Sequence, residues 1–295
     1  MSAIDRMMLS VEGLALGDAL GDFYLYTPNP IAGKLRQRSL PPPPWIFTDD
    51  TEMALALIDV LRNVGCVDQD QLAEAFATRY LQRPGRGYGP GMCEILEEIA
   101  DGRPWRKVSA AAYGGEGSQG NGGAMRVGPL GAFFAGDLEK CAEQARLSAE
   151  VTHAHLEGQA GAIAVAVAAS WLADEKRSNH GLDARNLLQV AESYTPPSKT
   201  KDRIKSALEI KWELPASEAA KLLGNGSTGL TQDTVAYCLW CAARKLDSFG
   251  EAIWFTLDGE GDMDTTCAIV GGLVALAVGR SGLPEDWLSA LEPLK

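Results

Sequence analysis

The chain has 295 residues, 46 % of them hydrophobic, and a formal net charge of −12. That length and apolar content admit one large core, and the acidity argues against a nucleic-acid groove built on phosphate contacts. No apolar run is long enough to span a membrane, and the opening MSAIDRMMLSVEG lacks a basic segment, an apolar stretch and a cleavage site, so neither a membrane span nor a signal peptide is expected.

In chain order, helical spacing dominates. Residues 7–20 (MMLSVEGLALGDAL) come first, then 51–64, where Met53, Leu57, Ile58 and Leu61 share one face. Further helices are expected over 69–82, 89–100, 137–149, 157–173, 200–212, 215–223, 231–244, 248–256 and 264–278. The breakers are 27-TPNPIAG-33, 41-PPPP-44, 83-RPGRGYGPG-91, 114-GGEGSQGNGG-123, 195-TPPS-198 and 224-GNGSTG-229. Three of these are Gly-rich, and such loops in compact domains tend to be functional. No run of alternating strands and no internal repeat stands out. The expectation is an all-α globule of about a dozen helices, with residues 1–295 as a single domain. The six cysteines, Cys66, Cys93, Cys141, Cys238, Cys241 and Cys267, fall mostly within apolar helical patterns, as reduced core thiols of a cytoplasmic protein would. Cys238 and Cys241 form a mid-helix CxxC with no second Cys or His pair nearby, a poor zinc site.

Two stretches pose the same question. Residues 48-TDDT-51 and 262-DMDTT-266 each place acids and threonines at the start of an apolar helix. Helix capping and a favourable dipole are one explanation. The second helix argues for more. It carries Ile269, Val270, Leu273, Val274, Leu276 and Val278 on nearly every face, so it belongs in the middle of the protein. Its acidic start then lies at the mouth of a buried element, with no Lys or Arg nearby in sequence. Buried carboxylates need a partner. Thr48, Asp49, Asp50, Asp262, Asp264 and Thr265 are the oxygen set that Mg²⁺, Mn²⁺ or Ca²⁺ prefers. Two independently capped, solvent-facing helix starts remain the other reading. The stretch 120-GNGGAMRVGPLG-131 lets backbone amides approach an anion such as a diphosphate, or is a flexible loop before a core helix. In 151-VTHAHLEGQAGA-162, His153 and His155 sit two apart, which points them to different sides of a helix and disfavours a shared zinc.

Taken together and in order, 17-GDALG-21, 48-TDDTEMA-54, 85-GRGYGPG-91, 115-GEGSQGNGGAMRVGPLG-131, 152-THAHLEG-158 and 261-GDMDTTCAIVGG-272 resemble the ADP-ribosylglycohydrolases, and GNGGAMRV most resembles their serine-ADP-ribose-cleaving branch. The resemblance implies a compact orthogonal all-α bundle and a hydrolase that removes ADP-ribose from a protein side chain or small molecule. It implies two Mg²⁺ or Mn²⁺ ions held by Thr48, Asp49, Asp50, Asp262, Asp264 and Thr265, gripping the distal ribose. It also implies a substrate cradle of Asn121, Gly122, Gly123, Met125 and Arg126, with His153 and His155 beside the ligand and Tyr88 placed to stack on adenine. ADP-ribose or an ADP-ribosylated protein is the expected partner, and a monomer is expected.

One departure matters. Many relatives carry an acid/base glutamate shortly after the GDALG-type motif, but Leu25 stands at that place, and no glutamate occurs between Glu12 and Glu52. Asp22 is the nearest substitute, with Asp50 and Asp264 as the other candidate catalytic carboxylates. Asp18 reads as a structural acid behind the site. If Asp22 does not serve, the chain would be a catalytically weak ADP-ribose binder or a toxin-immunity protein. A hydrolase for another nucleotide-like N- or O-glycoside is a third reading.

Overall fold

The computed structural model describes residues 1–26, 35, 37–174 and 184–295, so the 27–33 breaker lies outside the described residues. Among the described residues, all regular structure is helical apart from two isolated bridges, Trp45 with Leu291 and Gly120 with Leu230. The expected all-α class is what the structure shows.

The helices are α1 (Ala3–Leu25), α2 (Asp49–Val64), α3 (Gln69–Gln82), α4 (Pro90–Ala100), α5 (Trp105–Gly115), α6 (Gly122–Met125), α7 (Gly128–Phe133) and α8 (Leu138–Glu150). They continue with α9 (Leu156–Leu172), α10 (Ala184–Tyr194), α11 (Lys199–Glu209), α12 (Ala216–Leu223), α13 (Thr231–Arg244), α14 (Phe249–Leu257), α15 (Met263–Val278) and α16 (Glu285–Ala290). The sixteen among the described residues exceed the expected dozen: α6, α7 and α16, of four to six residues, are too short to show an apolar period, and α5 and α10 fall outside the expected segments although each buries one apolar face. The first helix also starts earlier than its apolar pattern. Ser2 and Asp5 form a reciprocal capping box, so the polar residues before Met7 are already helical.

Two helices, α9 and α15, are buried along almost their whole length, as all-round apolar helices should be. Against α15 lies α1, and the two backbones nearly touch. A methyl group added at Gly13 would lie 2.4 Å from the Gly271 carbonyl oxygen. At Gly17 it would lie 2.0 Å from that of Cys267, and at Gly21 2.2 Å from that of Met263. The four-residue spacing puts these glycines on one stripe of α1. The seam therefore runs from the middle of the core to the start of α15, where Asp262 and Asp264 sit.

Candidate active site

The start of α2 is held from behind. Asp18, fully buried on α1, accepts the Thr48 amide (3.0 Å), the Thr51 amide (3.1 Å) and the Thr51 hydroxyl (2.5 Å) on one carboxylate oxygen. Thr48 caps the helix by accepting from the Asp50 amide at 3.3 Å. From the opposite side, the Arg86 carbonyl accepts the Asp49 amide at 2.6 Å. Asp49 and Asp50 are thus fixed through their backbone, and their carboxylates are left for other use.

The start of α15 is held by loops. The Asp262 amide donates to the Asn225 carbonyl at 3.0 Å, and its carboxylate accepts from Asn121 Nδ2 at 2.7 Å. The same Asn121 amide reaches Thr234 Oγ1 at 3.1 Å. Gly226 passes so close that an added methyl would sit 2.5 Å from Asp262 Cβ, so the 224–229 turn cannot carry a side chain there. Asp264 accepts the Thr265 amide at 2.8 Å. The two helix starts then meet at one atom. Asp50 Oδ2 faces the hydroxyls of Thr48 (3.3 Å) and Thr265 (3.5 Å).

Around this junction opens a cleft of about 290 Å³. Its walls include Asp49, Asp50, Asp262, Asp264 and Thr265 on one side, and Ser118, Gly120, Asn121, Gly122, Met125 and His153 on the other. Gly91, Tyr113 and Gly229 complete the rim. Burial, reinforced by neighbouring carboxylates, pushes Asp49 and Asp50 well above the usual carboxylate range. Asp262 rises to about 8, again from burial first and Asp264 second. Asp18 rises to about 7 and Asp22 to about 6 by the same pair of causes. The fold has gathered like charges where water cannot screen them, and such a site holds either protons or a cation. Among the described residues, no three carboxylate, imidazole or thiol groups form a closed metal cage. What fits a cation is the open oxygen set itself, together with Asp50 Oδ1, which is buried without any hydrogen-bond partner.

The ADP-ribosylglycohydrolase family model matches residues 1–295. The chain belongs to this family. ADP-ribosylhydrolase ARH3 of Homo sapiens is 28 % identical, across 98 % of this chain and 90 % of that protein. The ADP-ribosyl-dinitrogen reductase glycohydrolase of Rhodospirillum rubrum is 25 % identical, across 99 % and 92 %. A solved ADP-ribosylglycohydrolase-related protein complex superposes with a TM-score of 0.69 at 25 % identity, covering 99 % of this chain and 93 % of that one.

In this ADP-ribosylglycohydrolase, the expected site residues divide into those that reach the cleft and those that do not. Asp49, Asp50, Asn121, Gly122, Met125, His153, Asp262, Asp264 and Thr265 line it, and Thr48 stands directly behind Asp50. Arg126 does not belong to the cradle. It is fully buried, donates to the Ser148 carbonyl and the Thr152 hydroxyl, and lies over the Phe76 ring. Tyr88 does not face the cleft either; its ring packs edge-on against Tyr80 and its hydroxyl is buried without a partner. The aromatic at the cleft is Tyr113, 65 % exposed, at a left-handed backbone position (φ 54°) where α5 breaks. Gly123 packs behind the wall, where an added methyl would lie a tight 3.3 Å from the Gly158 carbonyl oxygen. His155 caps α9 by accepting the Glu157 amide at 3.0 Å. Asp22 is half-buried near the end of α1, one residue past the Gly21 contact with Met263, and within the field of Asp264. Leu25 packs against the core. Sequence reasoning missed Tyr113 and Asn225. The first stands in a short helix it did not expect, and the second acts through its carbonyl, which no residue type announces.

Proposed function

We propose that the chain is a hydrolase that removes ADP-ribose from a modified protein side chain or small molecule by cleaving the anomeric C–N or C–O bond. The observation that carries this reading is Asp50, buried between two Asp/Thr helix starts with one oxygen left without a partner. Thr48, Asp49, Asp50, Asp262, Asp264 and Thr265 would hold two Mg²⁺ ions, with Mn²⁺ able to substitute, since every donor is a hard oxygen. Bound there, the ions would supply positive charge that orients the ribose hydroxyls and favours attack by water.

The remaining roles fall to the chain. Gly120 and Gly122 let the diphosphate lie against the backbone. Tyr113 offers a ring face to the base. Asp22 is the candidate acid/base: raised to about 6 by burial and by Asp264, it can exchange a proton near neutral pH. Hydrolysis places the water's hydroxyl on the ribose C1 and its proton on the leaving nitrogen or oxygen. Among the described residues no helix is long and apolar enough to cross a membrane, and all six cysteines are free; a cytoplasmic setting belongs to the same proposal.

The test is direct. Purified protein with Mg²⁺ is given one arginine-ADP-ribosylated and one serine-ADP-ribosylated substrate, and released ADP-ribose is quantified by chromatography. Release from one substrate supports the reading and names the linkage. No release from either, with no binding of free ADP-ribose, overturns it.

A further inference from the structure

Arg126 raises a separate question. A guanidinium can only donate, and this one is buried beneath the cleft with no carboxylate within ion-pair distance among the described residues. Its Nη2 donates to Thr152 Oγ1 at 2.9 Å. Thr152 is fully buried, and its hydroxyl also lies 2.8 Å from His153 Nδ1. Two arrangements are open to that second contact. The hydroxyl can donate to Nδ1, or a protonated Nδ1 can donate to the hydroxyl. In the second case the hydroxyl proton would be buried with no acceptor, because the oxygen would already be accepting twice. Leaving a buried donor unmade is costly. Arg126 therefore orients the Thr152 proton toward His153, and Nδ1 is the acceptor.

The ring's other side follows. A neutral imidazole that accepts at Nδ1 carries its proton on Nε2. Nε2 is turned toward the cleft wall, 3.3 Å and 3.2 Å from methyl groups placed on Gly120 and Gly122. Glycine at both positions keeps a side chain off that edge, and His153, though 2 % exposed, lines the cleft. The backbone that carries the ring is held in place. Gly158 packs against its Cβ, and the His153 amide is tied to the Ala149 carbonyl at 2.7 Å. Burial and the Arg126 charge both lower His153, to about 3, which keeps it neutral.

We propose that Arg126 and Thr152 are positioning residues that lock His153 as the neutral Nε2–H tautomer, giving the cleft a fixed donor for an acceptor oxygen of the bound ligand. The ligand part rests on the reading of the cleft as an ADP-ribose site; the tautomer part does not. A site built this way selects ligands that present an oxygen acceptor at this point, such as a phosphate or ribose oxygen, and rejects those that present a donor.

The experiment reads the two parts separately. In ¹⁵N-labelled protein, long-range ¹H–¹⁵N correlation of the His153 ring, identified by its loss in His153→Gln, should show a protonated Nε2 and an unprotonated Nδ1. A protonated Nδ1 in the unmodified protein overturns the proposal outright. Thr152→Val, which removes the hydroxyl at similar volume, should mix the tautomers and weaken ADP-ribose binding on the order of tenfold, the loss of one oriented donor. Thr152→Ser should restore both. An unchanged tautomer and unchanged affinity in folded Thr152→Val would also overturn the proposal. If ADP-ribose fails to bind even the unmodified protein, the reading of the cleft is wrong, and the ring spectrum alone decides the tautomer.

Discussion

Two buried carboxylates lie two residues apart on α2 and are treated in opposite ways. Glu52 is 1 % exposed and meets three guanidiniums: Arg79 at 3.0 Å, Arg83 at 2.9 Å and Arg86 at 3.4 Å. Asp50 is 2 % exposed and its carboxylate meets only the hydroxyls of Thr48 and Thr265, with one oxygen unmatched. The chain can evidently deliver arginines to this helix. It delivers them to Glu52 and withholds them from Asp50. A buried acid without a counter-charge is costly unless a cation arrives from outside, so the contrast separates an acid that holds the fold together from one kept available for a ligand.

That contrast can be broken by substitution. The largest effect expected is on activity: Asp50→Asn should reduce ADP-ribose release by on the order of a thousandfold or more, as loss of a metal-orienting group does. The same variant, chelated with EDTA, should melt no lower than the parent, because it replaces a buried carboxyl that must either stay protonated or sit charged among like charges. Glu52→Gln should do the reverse for the fold. It leaves arginines unpaired and should cost about 2–3 kcal/mol, below the range for a fully buried pair because Arg83 is 38 % exposed. Equal destabilisation by both substitutions, measured by denaturant unfolding, would erase the distinction.

A smaller effect sharpens it. Saturating Mg²⁺ should raise the melting temperature by several degrees, from about 2.7 kcal/mol at a hundredfold excess over Kd, and Asp50→Asn should abolish the shift. A calorimetric scan with no Mg²⁺ response would remove the cation from the account. Tyr113→Ala should weaken ADP-ribose binding roughly tenfold by loss of base stacking, with little change in melting because the ring is exposed. Equal affinity in titration calorimetry would deny the ring that role.

The pH dependence is the subtlest. A carboxyl raised in the folded state stabilises the fold while protonated, and that contribution is lost as pH rises through the folded value. Asp22, Asp18 and Asp262 rise to about 6, 7 and 8. In EDTA, the melting temperature should therefore fall between pH 5 and 8. Mg²⁺ should flatten that decline. A rising melting temperature over the same interval would contradict the crowding of carboxylates described here.

What was legible in the sequence was whatever a local pattern could encode. The all-round apolar run of α15 placed that helix at the centre, and the acids at its start had no basic neighbour, so the cluster could be read before any coordinates. The six-residue α16 is too short to show a period, and α5, which buries Trp105 and Val108 on one face, falls outside the expected segments. The aromatic of the RGYG loop looked like a stacking residue, but Tyr88 turns inward to Tyr80. Tyr113, in the unexpected helix, took the cleft position. The family resemblance put Arg126 in the loop expected to cradle the diphosphate and ribose. Its partners, Ser148 and Thr152, are 22 and 26 residues away along the chain, and only folding shows that they face it.

The glycine seam between α1 and α15 has a consequence for how this protein can change. Side chains can adapt to a new ligand by switching rotamer, but two backbones in contact cannot. Gly21 against Met263 sets how far Asp18 and Asp22 stand from Asp264, and no single substitution on the seam can adjust that spacing gradually. The acidic centre is therefore the part of the molecule least free to change. New specificities would have to arise at the rim of the cleft, where exposed Tyr113 can vary without moving the helices.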